Sequence, residues 1–91
     1  MIYTVKYSTA FKKRYRLMIK RGLDITLLDN VVEKLANLEQ LDFKYQDHLL
    51  SGKYEGCHEC HIKPDWLLIY YYDEDNHVLN LVDTGTHSDL F

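Results

Sequence analysis

The feature of this sequence that most constrains its fold is a change of hydrophobic pattern near the middle of the chain. Between residues 10 and 38, apolar side chains recur every three or four positions, as they do on amphipathic helices. From residue 53 onward, short runs rich in aromatic and β-branched residues are typical of strands. Helices followed by a run of strands favour the α+β class, in which helices pack on one face of a small antiparallel sheet. Because the chain has 91 residues, we expect a single domain over residues 1–91.

The local signals predict the element order β–α–α–β–β–β. Residues 2–7 have high β-propensity and predict the first strand. Ser8 or Thr9 can cap a helix from Ala10 to Arg21, which Gly22 ends, and Asp24 can cap a second helix. Residues 40–52 are expected to be irregular. The later strands are predicted at residues 53–57 and 58–63 (or as one bent strand), 66–72 and 77–84.

Charge is unevenly distributed along the chain, although the formal net charge is only −3. Residues 1–21 contain no acid, and they contain seven basic residues: Lys6, Lys12, Lys13, Arg14, Arg16, Lys20 and Arg21. Such asymmetry can create a local positive surface on an acidic protein. Two interpretations remain open, a solvated helix face or a surface that binds RNA or a protein partner.

The sequence also predicts where the protein works. No apolar run approaches the roughly 20 residues that cross a bilayer, and the N-terminus lacks the apolar segment of a signal peptide. We therefore expect a cytoplasmic protein without membrane association. Its two cysteines should then be reduced thiols rather than a disulfide.

Residues 57–61, Cys-His-Glu-Cys-His, have the form of a haem attachment motif and contain two zinc-ligand residue types. Haem attachment would need export, and a structural zinc site would need a second pair of ligands. On a strand, Cys57 and Cys60 would also point to opposite faces. We therefore expect neither a metal nor a cofactor. The same alternation places Cys57, Glu59 and His61 on one polar face that is available for a site.

Five histidines in so short a chain point to proton-transfer chemistry near neutral pH. His48 precedes the strands, His61 ends a strand with Asp65 just across the turn, and His87 follows the last strand. If these side chains came together, one could take the proton from a ribose 2′-OH and another could protonate the departing 5′-oxygen. A protonated imidazole could stabilise charge on the phosphorane. The alternative is that each histidine is structural or merely exposed. Residue chemistry alone therefore leads to an α+β domain with a candidate His/Asp site.

Three ordered motifs lie in residues 47–91. They are D-H-x-L-x-G at residues 47–52, H-x-x-P-D-W-x-L-I-Y at 61–70 and T-G-T-H-x-x-L-F at 84–91. In order and spacing they resemble the YafQ branch of the RelE/ParE toxin superfamily, the toxins of type II toxin–antitoxin systems. The resemblance implies a RelE-like fold with two N-terminal helices packed on the sheet. It also implies a metal-independent, ribosome-dependent endoribonuclease that cleaves mRNA and inhibits translation.

The resemblance also implies partners. The ribosome and its mRNA would be bound as substrate, and a cognate antitoxin, expected to be a DinJ-like ribbon-helix-helix protein, would cover the active site. Contact with DNA is expected only indirectly, through the antitoxin complex.

Residue by residue, the motifs assign four catalytic positions: His48, His61, Asp65 and His87. We hypothesise that His87 and Asp65 are the main proton-transfer groups. His48 and His61 would orient the scissile phosphate or share the acid–base work. Three further residues are expected to bind substrate: Trp66, Phe91 and Lys63. From residue type alone, the two aromatic residues could equally be packing residues of the core or surface.

Two other functions are compatible with the same superfamily. A ParE-like toxin would inhibit DNA gyrase through protein contacts, and a catalytically inactive module would only bind an antitoxin. Neither function requires three histidines and an aspartate at these four motif positions, so their joint presence favours the ribonuclease.

Overall fold

In the computed structural model, which describes residues 2–91, the N-terminal elements form where the sequence predicts them. Met1 belongs to the predicted domain but lies outside the described residues. The first elements are β1 (Thr4–Tyr7), α1 (Thr9–Lys20) and α2 (Ile25–Ala36). Ser8 caps α1 by accepting the N–H of Phe11, and Asp24 caps α2 by accepting that of Thr26. Gly22, at φ 82°, allows the reversal between the helices.

The second half of the chain contains four strands and a short third helix. They are β2 (His48–Leu49), β3 (His58–Lys63), β4 (Trp66–Asp73), β5 (Val78–Gly85) and α3 (His87–Leu90). The prediction of a strand over residues 53–57 is wrong, because Gly52–Tyr54 forms a 3-10 turn. Gly52 and Gly56 both have positive φ, 69° and 87°, which an extended strand does not adopt.

The five strands form one sheet in the order β1-β5-β4-β3-β2. The strands from β2 to β5 pair antiparallel, which confirms the α+β class. β1 pairs with β5 in parallel, so the sheet is mixed. A parallel pair needs a long crossover connection, and here that connection contains both long helices and three strands.

Each face of the sheet buries a different cluster. α1 and α2 cover the first face and form the main core, to which the sheet contributes Cys60, Ile62, Trp66, Leu68, Tyr70, Leu79 and Leu81. On the second face, Leu67 and Ile69 pack against Leu90 of α3 and the segment after β2. This smaller cluster leaves part of the second face open beside Glu59 and His61. No helix among residues 2–91 combines the length and the apolar character that a membrane crossing requires.

Candidate active site

Three imidazoles meet at the edge of the second face. The ring centroids of His48 and His61 are 6.3 Å apart, and those of His61 and His87 are 5.9 Å apart. The sheet brings them together, because His48 pairs with Glu59 across β2 and β3 and Leu67 pairs with Gly85 across β4 and β5. The second pairing places the start of α3 beside the turn between β3 and β4, which carries Asp65. The structure therefore gathers all four predicted catalytic residues in one place.

His87 and Asp65 form a dyad. Asp65 Oδ1 lies 2.8 Å from His87 Nδ1 and accepts the backbone N–H of His87 at 3.0 Å. A carboxylate can only accept, so Nδ1 must carry a proton and the opposite nitrogen, Nε2, is directed away from Asp65. The hydrogen bonds from the backbone and then the ring of His87 lower the pKa of the Asp65 carboxyl. Asp65 is therefore ionised at neutral pH and holds the ring of His87 in one orientation.

The Glu59 carboxyl group contacts the rings of both His48 and His61. Its side chain is buried, with Oε1 3.3 Å from His61 Nε2 and 3.6 Å from His48 Nε2. The second nitrogen of each ring also faces an oxygen: Gln46 O lies 2.7 Å from His48 Nδ1, and Pro64 O lies 3.3 Å from His61 Nδ1. Each of the two rings therefore lies between the Glu59 carboxyl group and a backbone carbonyl oxygen, which fixes where the rings stand.

A second acid fixes the loop that carries His48. Tyr70 Oη donates to Asp47 Oδ2 at 2.7 Å, and burial raises the pKa of this phenol, so it stays a donor. His58 stacks on the Tyr70 ring with centroids 5.3 Å apart, and its Nδ1 lies 3.6 Å from Asp47 Oδ1. Asp47, the residue before His48, is thus bound to Tyr70 of the inner strand β4, and this contact holds the loop that carries His48.

Of the three residues expected to bind substrate, Trp66 does not lie at the imidazole group. Its indole is 2% exposed, lies in the main core on the helix-covered face and donates to Thr84 Oγ1 at 3.0 Å. The prediction that Trp66 contacts a base is therefore corrected, because β-strand alternation directs it away from His61. Phe91 remains 64% exposed beside the site, with its ring 6.4 Å from that of His87.

Lys63, the third residue expected to bind substrate, is exposed at the end of β3. Together with His61 and Pro64 it lines a cavity of about 520 Å³. Its ammonium group is therefore available to a ligand at the edge of the imidazole group.

α3 is held by α1 as well as by the sheet. Thr86 and Asp89 form a capping box, and Arg21 donates two hydrogen bonds to the Asp89 carboxylate, at 2.7 and 3.1 Å. Arg14 Nη2 donates to the backbone oxygen of Asp89 at 2.9 Å. The hydrogen bonds from Arg21 keep the pKa of the Asp89 carboxyl well below its usual range. Two of the seven basic residues that precede Gly22 are thus paired with an acid.

Sequence reasoning placed Glu59 on the polar face of His61 without giving it a role, and it did not identify Asp47, Arg21 or Asp89 as residues of this region. Glu59 had a usable signal, because strand alternation placed it on the same face as His61. Asp47 belongs to a motif, but its contact with Tyr70 is long-range. Nothing in the sequence connects Arg21 with Asp89, which lies 68 positions later.

The two cysteines point to opposite faces of the sheet, as strand alternation predicted. Cys60 is fully buried in the main core, where burial raises the pKa of its thiol, and burial also raises that of Cys57. Within the described part of the chain, no three His, Cys, Asp or Glu side chains are grouped so that they could hold a metal ion.

A known protein family and several of its members match almost the whole chain. The family model for the bacterial toxin of type II toxin–antitoxin systems, YafQ, matches residues 3–91. Over 88 residues the chain is 35% identical to the mRNA interferase toxin YafQ of Escherichia coli K12, covering 96% of this chain and 94% of that protein.

Two solved structures have the same fold. A metal-bound toxin from Helicobacter pylori has a TM-score of 0.92 and 42% sequence identity, covering 98% of this chain and 99% of that one. A chain of the E. coli DinJ–YafQ toxin–antitoxin complex has a TM-score of 0.87 and 34% identity, covering 100% of this chain and 99% of that one. The chain therefore belongs to the YafQ family, the toxins of bacterial type II toxin–antitoxin systems.

Proposed function

We propose that this toxin is an endoribonuclease that cleaves mRNA on the ribosome and so inhibits translation. The observation that carries the proposal is the His87–Asp65 dyad, which lies beside two further imidazoles on an exposed edge. A similar protein, E. coli YafQ, bears the name mRNA interferase toxin, which supports the assignment.

In the proposed reaction, the ribose 2′-oxygen attacks the adjacent phosphorus and the 5′-oxygen departs. His87 Nε2 is the proton-transfer atom, because Asp65 occupies Nδ1 and the side chain is 55% exposed to an incoming substrate. Asp65 is a positioning residue that fixes the tautomer and the orientation of the ring. Nε2 accepts the 2′-hydroxyl proton as the bond from the 2′-oxygen to phosphorus forms. A protonated neighbouring imidazole, His48 or His61, gives a proton to the 5′-oxygen as its bond to phosphorus breaks.

His48 and His61 contribute charge to the same site. Protonated rings beside the scissile phosphate stabilise the negative charge that develops on the phosphorane. Their contacts with Glu59 and with two backbone carbonyls hold them in place before substrate arrives. Such preorganised charge is effective because it needs no rearrangement during the reaction.

Phe91 and Lys63 are the substrate-contacting residues at the edges of this site. The exposed ring of Phe91 can stack on an unpaired base, and Tyr54 braces it edge-on with centroids 5.6 Å apart. Lys63 can pair with a neighbouring phosphate, since its ammonium group is an exposed cation.

The proposed partners are a cognate antitoxin, the ribosome and mRNA. DinJ and YafQ of E. coli form a toxin–antitoxin complex, which supports an antitoxin partner for this chain. We expect a DinJ-like antitoxin that covers the imidazole group, contact with DNA only through that complex, and action in the cytoplasm, where ribosomes are found.

The test is cleavage of a defined mRNA on programmed ribosomes by the wild-type protein and by His87→Ala. We expect cuts with the wild type and a loss of at least about 10²-fold in rate with the variant, since it lacks a positioned acid or base. His77→Ala is the matched control, because His77 lies in the turn between β4 and β5, at the opposite end of β4 from Asp65. Circular dichroism checks that both variants stay folded.

Full cleavage by His87→Ala would remove His87 from the mechanism. Intact mRNA with the wild type, together with blocked DNA supercoiling, would replace the ribonuclease with a gyrase inhibitor. Intact mRNA and unaffected growth on induction without antitoxin would leave an antitoxin-binding module.

A further inference from the structure

We propose that Arg21 and Arg14 are positioning residues of the active site, which set the place of His87 by holding Asp89, rather than part of an RNA-binding surface. The inference rests on the proposed function, in which His87 transfers protons. Arg14 lies on α1 and Arg21 caps its C-terminus, and their target lies two residues after His87 in α3.

α3 needs such support because it has only four residues. A single helical turn is unstable by itself, since it orders several residues for very few hydrogen bonds. Leu90 is its one buried residue, packed against Leu67 and Ile69. That apolar contact is at the C-terminal end of the helix, whereas His87 is its first residue. The place of His87 therefore depends on polar contacts, those with Asp65 and those that hold Asp89 two residues later.

The contacts with α1 restrict Asp89 in both position and orientation. Arg21 grips the carboxylate with two parallel hydrogen bonds, a geometry that fixes direction as well as distance. Arg14 holds the backbone of the same residue through its carbonyl oxygen. The Asp89 side chain is 16% exposed and that of Arg21 is 40% exposed, so the contact holds Asp89 mainly through its two-point geometry rather than through burial.

The packing around Asp89 leaves little room for movement. A Cβ atom added to Gly85 would lie 2.8 Å from Asp89 Cβ and Oδ2 and 3.1 Å from Arg14 Nη1. Because β5 passes so close to this pair, a displaced Asp89 cannot relax toward the sheet. A shift of Asp89 would instead also shift His87, because both residues belong to the single turn of α3.

The spacing of the arginines distinguishes them from the other cations of α1. Arg14 and Arg21 are seven positions apart and share a helix face with Met18, which is fully buried. Arg16 is exposed, and no acidic partner for it is found among residues 2–91. Arg14 and Arg21 thus hold α3 through Asp89, whereas Arg16 of the same helix faces solvent.

The experiment compares Arg21→Met, Arg21→Lys and the control Arg16→Met on programmed ribosomes. We expect Arg21→Met to lower kcat on the order of 10- to 100-fold with little change in KM, as misplaced catalytic groups do. Arg21→Lys should recover part of the loss, because it keeps the charge but not the two-pronged contact. Arg16→Met should retain the wild-type kcat.

Amide hydrogen exchange provides a readout that does not depend on activity. In Arg21→Met, the amides of Leu90 and Phe91, which bond to the first turn of α3, should exchange faster, while those of β4 stay protected.

Equal rises in KM for Arg21→Met and Arg16→Met, with kcat unchanged, would overturn the proposal and assign both arginines to RNA binding. Unchanged exchange in α3 would also overturn it. If the wild-type protein fails to cut mRNA, the ribonuclease is wrong, but the exchange result still decides whether Arg21 holds α3.

Discussion

Glu59 is the residue whose surroundings differ most from what its chemistry prefers. Its carboxyl group is 5% exposed, on a strand face whose neighbours Leu67 and Ile69 are fully buried. A carboxylate withdrawn from water needs charged or hydrogen-bonding partners, and removal of such partners is costly. His48 and His61 are those partners, so the same contacts stabilise the acid and orient the rings.

We predict that Glu59→Gln lowers the free energy of unfolding by more than the roughly 0.5 kcal/mol that bounds most surface substitutions. The amide keeps the shape of the side chain but removes the charge that faces both imidazoles. Urea denaturation at neutral pH measures the change. Glu55→Gln is the matched control, because Glu55 is exposed and should change stability very little. Equal effects of the two substitutions would contradict a special role for the buried acid.

At this scale the motifs led to four side chains that the structure brings together, whereas Trp66 lies in the core. His48, His61, Asp65 and His87 recur at recognisable spacings, and the structure brings them together. Trp66 is adjacent to Asp65 in sequence, but His61 pairs with Leu67 across the two strands. Leu67 therefore shares the face of His61, and Trp66 must point into the core. A motif shows which residues are adjacent in sequence, but it does not show which face of the sheet each side chain points to.

At the scale of elements, the junction between β5 and α3 controls how closely the sheet approaches the active site. Gly85 has φ 152°, a conformation that side chains rarely adopt, and it lies against Asp89. The strand can therefore end and the helix begin within two residues, with Thr86 as the cap.

We predict that Gly85→Ala destabilises the protein by about 1–3 kcal/mol, the cost of a strained backbone conformation. Ribosome-dependent cleavage should fall by more than the loss of folded protein accounts for, because the new methyl group displaces Asp89. Thermal unfolding and cleavage rate at a temperature where the variant stays folded measure the two effects. Gly22→Ala is the control, since it also has positive φ but no atom within 4 Å of the added group. Wild-type cleavage by folded Gly85→Ala would contradict the tight packing at this junction.

The helices were predictable as elements because their signals are local. Caps at Ser8 and Asp24 and an apolar stripe are complete within about fifteen residues. The failed strand at residues 53–57 has an equally local cause, two glycines with positive φ. The parallel pairing of β1 with β5 depends on how distant segments meet, and no local pattern records it.

At the scale of the whole molecule, charge is segregated more sharply than the composition implies. The net charge is −3, yet no acid precedes residue 22. Since Arg14 and Arg21 bind Asp89, the outward positive surface of this segment consists of Lys6, Lys12, Lys13, Arg16 and Lys20.

Whether this surface contacts RNA can be measured through the salt dependence of ribosome binding. If it does, the double substitution of Lys12 and Lys13 by Gln should make the plot of log affinity against log salt shallower by about 1.4–1.8, because each phosphate contact releases about 0.7–0.9 counterions. Lys34→Gln serves as the control, since Lys34 lies outside the basic segment. An unchanged slope would assign this helix face to solvent alone.

The position of β5 between β1 and β4 has a consequence for the order of assembly. During synthesis the N-terminus of the chain leaves the ribosome first. Because β1 pairs only with β5, β1 has no strand to pair with until residues 78–85 emerge. The dyad joins Asp65 to a histidine made still later. The dyad can therefore form only after residue 87 has been translated, and no shorter nascent chain contains it.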